Sequence, residues 1–174
     1  MTIFMSQPLM KQAEGQGPDD ALCRHLAWSG SPPPAARARA EADALLSALQ
    51  HAYQVRVAPR VTDDVRLVVS ELVSNAARHA PGPGRLDLQV SDRGHTVRIT
   101  VRDTSPVIPQ PWPANPRRPG GHGLEIVKAL SRRLTVQHTG EGKQITAELA
   151  LHQSRASPGP DRYHVDRTPD GTSG

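Results

Sequence analysis

The residue pattern points to an α+β fold: a two-layer α/β sandwich with a mixed, mostly antiparallel sheet and helices on one face. Three features carry that expectation. Residues 85–92 and 95–102 alternate apolar and polar (Leu86, Leu88, Val90; Val97, Ile99, Val101) on either side of a tight turn at Arg93-Gly94, the pattern of a β-hairpin. Residues 134–138 and 144–151 form a second such pair around Gly140-Glu141-Gly142. The remaining long segments instead place apolar residues at helical spacing. Strands grouped as hairpins beside helices bury their apolar faces as layers.

In chain order, residues 1–21 are polar, show little periodicity and are expected to be a flexible tail, and residues 22–151 carry the domain. Residues 22–28 alternate and are expected to form an edge strand. Ser31-Pro32-Pro33-Pro34 then starts a helix, with serine as the expected cap, running through Leu45, Leu46, Leu49 and Tyr53. After Pro59, Thr62 is the expected cap of a second helix, with Asp63 and Asp64 in its first turn, where carboxylates suit the helix dipole. That helix reaches about Ala80 and is stopped by Pro81-Gly82-Pro83-Gly84. Residues 104–119 hold six prolines and no periodicity, so a long loop is expected there, of a length usually tied to function or disorder. Gly120-Gly121-His122-Gly123 opens a third helix with Leu124, Ile126, Val127 and Leu130 on its apolar side. Residues 152–174, rich in Ser, Pro, Gly, Asp and Thr, are expected to be a disordered tail.

The chain has 174 residues, enough for one domain with tails, and aromatics are only 3% of it, so the core must come from Val, Leu, Ile and Ala. A formal net charge of +4 suits an anionic ligand such as a nucleotide. Direct nucleic-acid binding is not expected, because there is no basic run and little aromatic surface for stacking bases. Cys23 is the only cysteine, which excludes an internal disulfide and a cysteine zinc site. The histidines show no paired i, i+4 spacing. No apolar run approaches the roughly 20 residues that cross a bilayer, and the start lacks a basic region followed by an apolar stretch. No membrane association is expected, and the expected setting is a reduced cytoplasm.

Three groups of residues can carry chemistry. In Glu71-Leu-Val-Ser-Asn75-Ala-Ala-Arg78-His79, the residues Glu71, Asn75 and Arg78 fall on one helical stripe, opposite Val65, Val69, Leu72, Ala76 and Ala80. Such a stripe reads either as a solvated face or as a site. Asparagine is a poor helix former, its amide oxygen suits Mg²⁺, a carboxylate one turn away can orient water or accept a hydroxyl proton, and arginine can reach phosphate. Asp103 ends an alternating strand, where it can either accept a hydrogen bond from an exocyclic amine such as adenine's or cap its own turn at Ser105-Pro106. Gly121-His122-Gly123 at a helix entry lets backbone approach phosphate; by itself it reads sooner as loop flexibility. It is neither a dinucleotide fingerprint nor a P-loop.

Taken in order, these pieces resemble the GHKL ATPase superfamily (the Bergerat fold). Residues 71–79 look like its N-box, 101–106 its first glycine box and 120–130 its second. Asp103-Thr-Ser-Pro106 and Gly-Leu-Glu-Ile-Val-Lys-Ala-Leu-Ser (123–131) resemble the stand-alone anti-sigma-factor serine kinases of bacteria, with an actinomycete-like composition. The likeness covers roughly residues 22–151. It implies ATP and Mg²⁺ as cofactors, Glu71 as general base or water-positioning group, Asn75 as Mg²⁺ holder, and Asp103 as adenine partner. Residues 104–119 would be the ATP lid. Gly121 and Gly123 would meet the phosphates, and Arg78, Ser105, His122 and Leu124 complete the implied nucleotide-binding set. Two positions depart from the pattern: Ser105-Pro106 replaces the glycines of Asp-x-Gly-x-Gly, and Lys143 stands where many relatives have threonine near adenine, which leaves the second adenine contact unassigned.

The expected function is an ATP-binding regulator that holds a sigma factor and phosphorylates a serine or threonine of an anti-anti-sigma partner, with homodimers common among relatives. The alternative is a catalytically silent ATP-binding module that sequesters partners. A histidine kinase is not expected, because the chain has no room for a dimerisation helix pair, and His51 reads as an exposed helix residue. Trp112, in the expected lid, reads as a packing residue of the lid or a contact for a partner.

Overall fold

The computed structural model describes residues 5–6, 22–91, 94–107, 122–151 and 163–166. Ten elements follow in order: β1 (Met5–Ser6), β2 (Cys23–Trp28), α1 (Ala35–Tyr53), α2 (Pro59–His79), β3 (Gly84–Ser91), β4 (Thr96–Asp103), α3 (Gly123–Leu130), β5 (Arg133–Thr139), β6 (Gly142–Ala150) and β7 (Tyr163–Asp166). The sheet order is β1-β2-β3-β4-β6-β5-β7. Its five long strands are antiparallel to their neighbours, and β7 lies parallel to β5. α1 packs on β2 and β3, α2 on β4 and β6, and α3 on β5 and β6. This is the expected two-layer sandwich with helices on one face.

Period-two alternation sorts the sheet into two surfaces. Leu26, Leu86, Val101, Ile145 and Val136 stand opposite one another across five strands, as do Leu88, Ile99, Ala147 and Leu134, and all are buried beneath the helices. The other surface is polar, with rows such as Asp87–Thr100–Thr146–Thr135 and Arg85–Arg102–Gln144–Gln137. The helices answer with Ala38, Ala42, Leu45, Leu46 and Leu49 from α1 and Val61, Val65, Val68, Val69, Leu72, Val73 and Ala76 from α2. Arg24 shares the inner surface and is bound to the buried Glu41 of α1, with Nη2 to Oε2 at 2.7 Å. Arg66 of α2 donates to Asp43 of α1 at 2.7 Å. That hydrogen bond and the nearby carboxylate charge raise the Arg66 guanidinium above its ordinary value, so it stays charged at any working pH.

Both long helices begin elsewhere than expected. Ser31 does not cap α1; the cap position is Pro34, with Arg37 N donating to its carbonyl at 2.9 Å. A residue before proline is driven to extended backbone, so Ser31, Pro32 and Pro33 are all held out of the helix. The same rule displaces Thr62. Ala58 precedes Pro59, takes φ −64° and ψ 143°, and becomes the cap, with proline in the first turn; Thr62, Asp63 and Asp64 lie further inside. Tyr53, placed with the leucines by spacing, is 39% exposed at the end of α1. There Gln54 closes the helix in the left-handed region (φ 53°), its side chain donating to His51 O at 3.1 Å. His51 is exposed, as expected.

β2 is not an edge: Met5 and Ser6 pair with Ala27 and Leu26. Residues 163–166 pair with Leu134–Gln137 on the far side. The two segments read as tails thus each contribute a short strand. Unpaired backbone at a sheet edge recruits any extended segment within reach, and a two- or four-residue strand is too short to leave a periodic signature.

Candidate functional site

Glu71, Asn75 and Arg78 lie on α2, whose apolar side is fixed to the sheet by Val65, Val68, Val69, Leu72 and Ala76. The stripe is not a plain solvated face. The Glu71 side chain is only 25% exposed, and Arg78 Nη2 stands 3.9 Å from Glu71 Oε2. Arg78 is itself exposed and donates through Nε to Ser74 O at 3.2 Å. Asn75 is half-buried one turn beyond Glu71.

What covers Glu71 is the entry of α3. Gly123 is the first residue of that helix. A Cβ at Gly123 would collide with Glu71 Oε2 and lie 3.3 Å from Glu71 Cδ. Glycine is what allows the helix start, with its unsatisfied N–H groups, to sit directly on the carboxylate. His122 occupies the cap position, and its Nδ1 is 3.1 Å from Glu125 Oε2. Leu124 packs against the core, which anchors the entry. Gly121, Trp112 and residues 108–119 of the expected lid lie outside the described residues.

The third group sits at the end of the sheet's inner surface. Asp103 is the last residue of β4, in register with Gly84 on one side and Lys143 on the other. Its carboxylate does cap its own turn: Ser105 N donates to Oδ1 at 2.9 Å, and Ser105 Oγ accepts from Val107 N at 3.3 Å. A second donor reaches the same oxygen, Lys143 Nζ at 2.8 Å, and both side chains are 1% exposed. Asp103 Oδ2 is buried and has no hydrogen-bond partner among the described residues. Gly142 makes this corner possible, since a Cβ there would run into the Asp103 carbonyl and lie 2.6 Å from Thr104 Cα. The loop after α2 closes on the same place: a Cβ at Gly82 would meet Thr104 Oγ1 at 2.8 Å. The loop after α2 and the end of β4 therefore meet at Gly82 and Thr104.

By the resemblance Lys143 stands where many relatives have threonine near adenine, and sequence reasoning assigned it no contact with Asp103. The signal was present: Lys143 stands two residues before Ile145, and Asp103 two after Val101, so both point to the helix side. It missed the Glu41–Arg24 pair for a similar reason, because Arg24 shares the face of Leu26 and Trp28. A trough of about 770 Å³ lies on the opposite, polar surface of the sheet, lined by Arg85, Arg98, Arg102, Thr100 and Gln144 among others. It is not the site just described.

A family model for the histidine kinase-like ATPase domain matches residues 34–149, from the cap of α1 to the penultimate residue of β6. The chain belongs to that family of GHKL-type, ATP-binding domains. No match to the chain is found among curated proteins. One feature fits the nucleotide that the family binds: Asp103 Oδ2, a dry carboxylate oxygen with no donor among the described residues; at Gly123 the helix entry is met by the end of the Glu71 side chain. Among the described residues, no three His, Cys, Asp or Glu side chains converge to hold a metal, so Mg²⁺ held at Asn75 would take its other ligands from phosphate and water, as it commonly does. Nor is any described helix long and apolar enough to cross a membrane.

Proposed function

We propose that this chain is a regulatory protein kinase of the anti-sigma-factor type. It transfers the γ-phosphoryl group of ATP to a serine or threonine of an anti-anti-sigma partner and sequesters a sigma factor. The observation that carries the reading is the seating of Gly123 on Glu71, which brings the candidate base against a helix entry suited to phosphate. ATP supplies the phosphoryl group, and Mg²⁺ neutralises the charge that develops as it moves.

The chain's own groups divide the remaining work. Asp103 receives the exocyclic amine of the base, while Ser105 fixes the carboxylate from below. The N–H groups at Gly123 and Leu124, with His122 before them, would face the phosphates, and Arg78, 3.9 Å from Glu71, would add a cation. Asn75 offers its amide oxygen to the metal. Glu71 orients the incoming hydroxyl and takes its proton as the oxygen–phosphorus bond forms and the bond to the β-phosphate breaks. Phosphoryl transfer needs little more than position and charge, which suits so small a domain.

The test is incubation of the full chain with labelled ATP, Mg²⁺ and candidate antagonist proteins. Label on the antagonist's serine or threonine, lost by a factor of about 100 or more in Glu71→Ala with ATP affinity largely kept, is the expected result. Tight ATP binding with no transfer to any antagonist would instead identify a sequestering module.

A further inference from the structure

Asp103 and Lys143 form an ion pair that the motif pattern does not include. Both side chains are buried to the same degree, and they face each other across the β4–β6 ladder. Buried charges are stable only when paired and hydrogen-bonded, and here the pairing is lopsided. The lysine ammonium and the Ser105 N–H both go to Oδ1, while Oδ2 is left without a donor in a dry setting. A carboxylate free to turn would share its donors between both oxygens. Two donors fixed on one oxygen stop that rotation, one from the adjoining strand and one from the carboxylate's own turn. The backbone contact of Gly142 with Asp103 and Thr104 sets the spacing of the two strands at this point.

We propose that Lys143 is a positioning residue for nucleobase recognition: by occupying Asp103 Oδ1 together with the Ser105 N–H, it presents Oδ2 as a single acceptor for the exocyclic amine of a 6-aminopurine. The proposal rests on the ATP reading above and deepens it. A buried acceptor without a donor is costly, and a ligand amine removes that cost. A 6-oxopurine places an acceptor where the amine would stand and so sets oxygen against oxygen at that position. Lysine is suited to the task because its ammonium is a compact point donor that can serve one oxygen alone, whereas an arginine fork grips both oxygens of a carboxylate.

The experiment is calorimetric titration of the full chain with Mg²⁺–ATP and Mg²⁺–ITP, comparing the wild type with Lys143→Arg and Lys143→Met. The wild type is expected to prefer ATP by about tenfold or more. Lys143→Arg keeps the charge and the fold but takes up Oδ2, so the ATP/ITP ratio falls below about threefold through weaker ATP binding. Lys143→Met lets the carboxylate turn and lowers the ratio in the same way. Should that variant fail to fold, judged by circular dichroism, the arginine variant alone decides. A ratio unchanged in Lys143→Arg would overturn the proposal and leave the ATP reading standing, since a purely structural lysine is rescued by any cation. A wild type that binds neither nucleotide would remove the ATP reading and this proposal with it.

Discussion

Gly123 shows how a single missing methyl group organises this site. The nearest obstacle to a Cβ there is the end of the Glu71 side chain, which can swing away, rather than fixed backbone. Alanine also favours helix over glycine by about 1 kcal/mol. Gly123→Ala is therefore expected to leave the midpoint of urea unfolding nearly unchanged or slightly raised while, if Glu71 serves as the proposed base, phosphotransfer falls at least about tenfold, because the carboxylate is displaced. Equal activity in the two proteins, measured side by side with their unfolding curves, would show that the seating of Gly123 on Glu71 has no functional consequence. At Asp103 one of the two readings open in sequence is seen directly, since Oδ1 caps its own turn through Ser105 N, while Oδ2 has no partner among the described residues.

Between elements, the joint that stands out ties α1 to β2. Glu41 is almost wholly buried on α1, and Arg24 grips it from the strand through both Nε and Nη2. Arg37 adds a longer contact at 3.4 Å from the same helix. Removing one partner of a buried pair strands the other charge. Glu41→Ala is expected to destabilise the domain by about 3 kcal/mol, and the double variant Glu41→Leu/Arg24→Leu to recover most of that loss. Denaturant unfolding of the three proteins measures both values, and a single variant within about 0.5 kcal/mol of wild type would refute the first. The contact between α2 and α3 is of another kind. Val127 is the buried residue of α3, with Leu124 and Leu130 packed against the core, and the contact places a helix entry on a carboxylate.

For the molecule as a whole, ligand and fold are linked, because the candidate site is assembled from α2, β4, α3 and β6 at once. A nucleotide that binds only this arrangement stabilises it. At Mg²⁺–ATP about 100-fold above the dissociation constant the gain is roughly 2.7 kcal/mol, or about 5–10 °C in Tm for a chain of this size. Asn75→Ala is expected to abolish most of that shift while changing the ligand-free Tm by no more than about 2 °C. Thermal scans with ATP alone, ATP with Mg²⁺ and ATP with a chelator test the metal's part; a shift indifferent to Mg²⁺ would count against Asn75 as its holder. The polar outer surface of the sheet, with its arginines mostly bound to neighbours such as Asp87 and Glu148, is satisfied within the layer.

The layers, the two hairpins, the three helices and the stripe of Glu71, Asn75 and Arg78 could be read from the chain directly, because each rests on local spacing: period two for a strand, 3.6 for a helix, proline and glycine where either must stop. Even the helix starts at Pro34 and Ala58 follow from a local rule about the residue before proline, one that outranks the capping preference of Ser31 and Thr62. The contacts that give the site its character are not local. Asp103 and Lys143 are 40 positions apart, Glu41 and Arg24 meet across two layers, and Gly123 meets Glu71 only when α3 lies on α2. Alternation tells which face such a side chain points to, but which oxygen of Asp103 is taken, and which is left open, depends on strand register and on how closely Gly142 lets the backbones approach. Those are properties of packing, in which each distance is set by every neighbour at once.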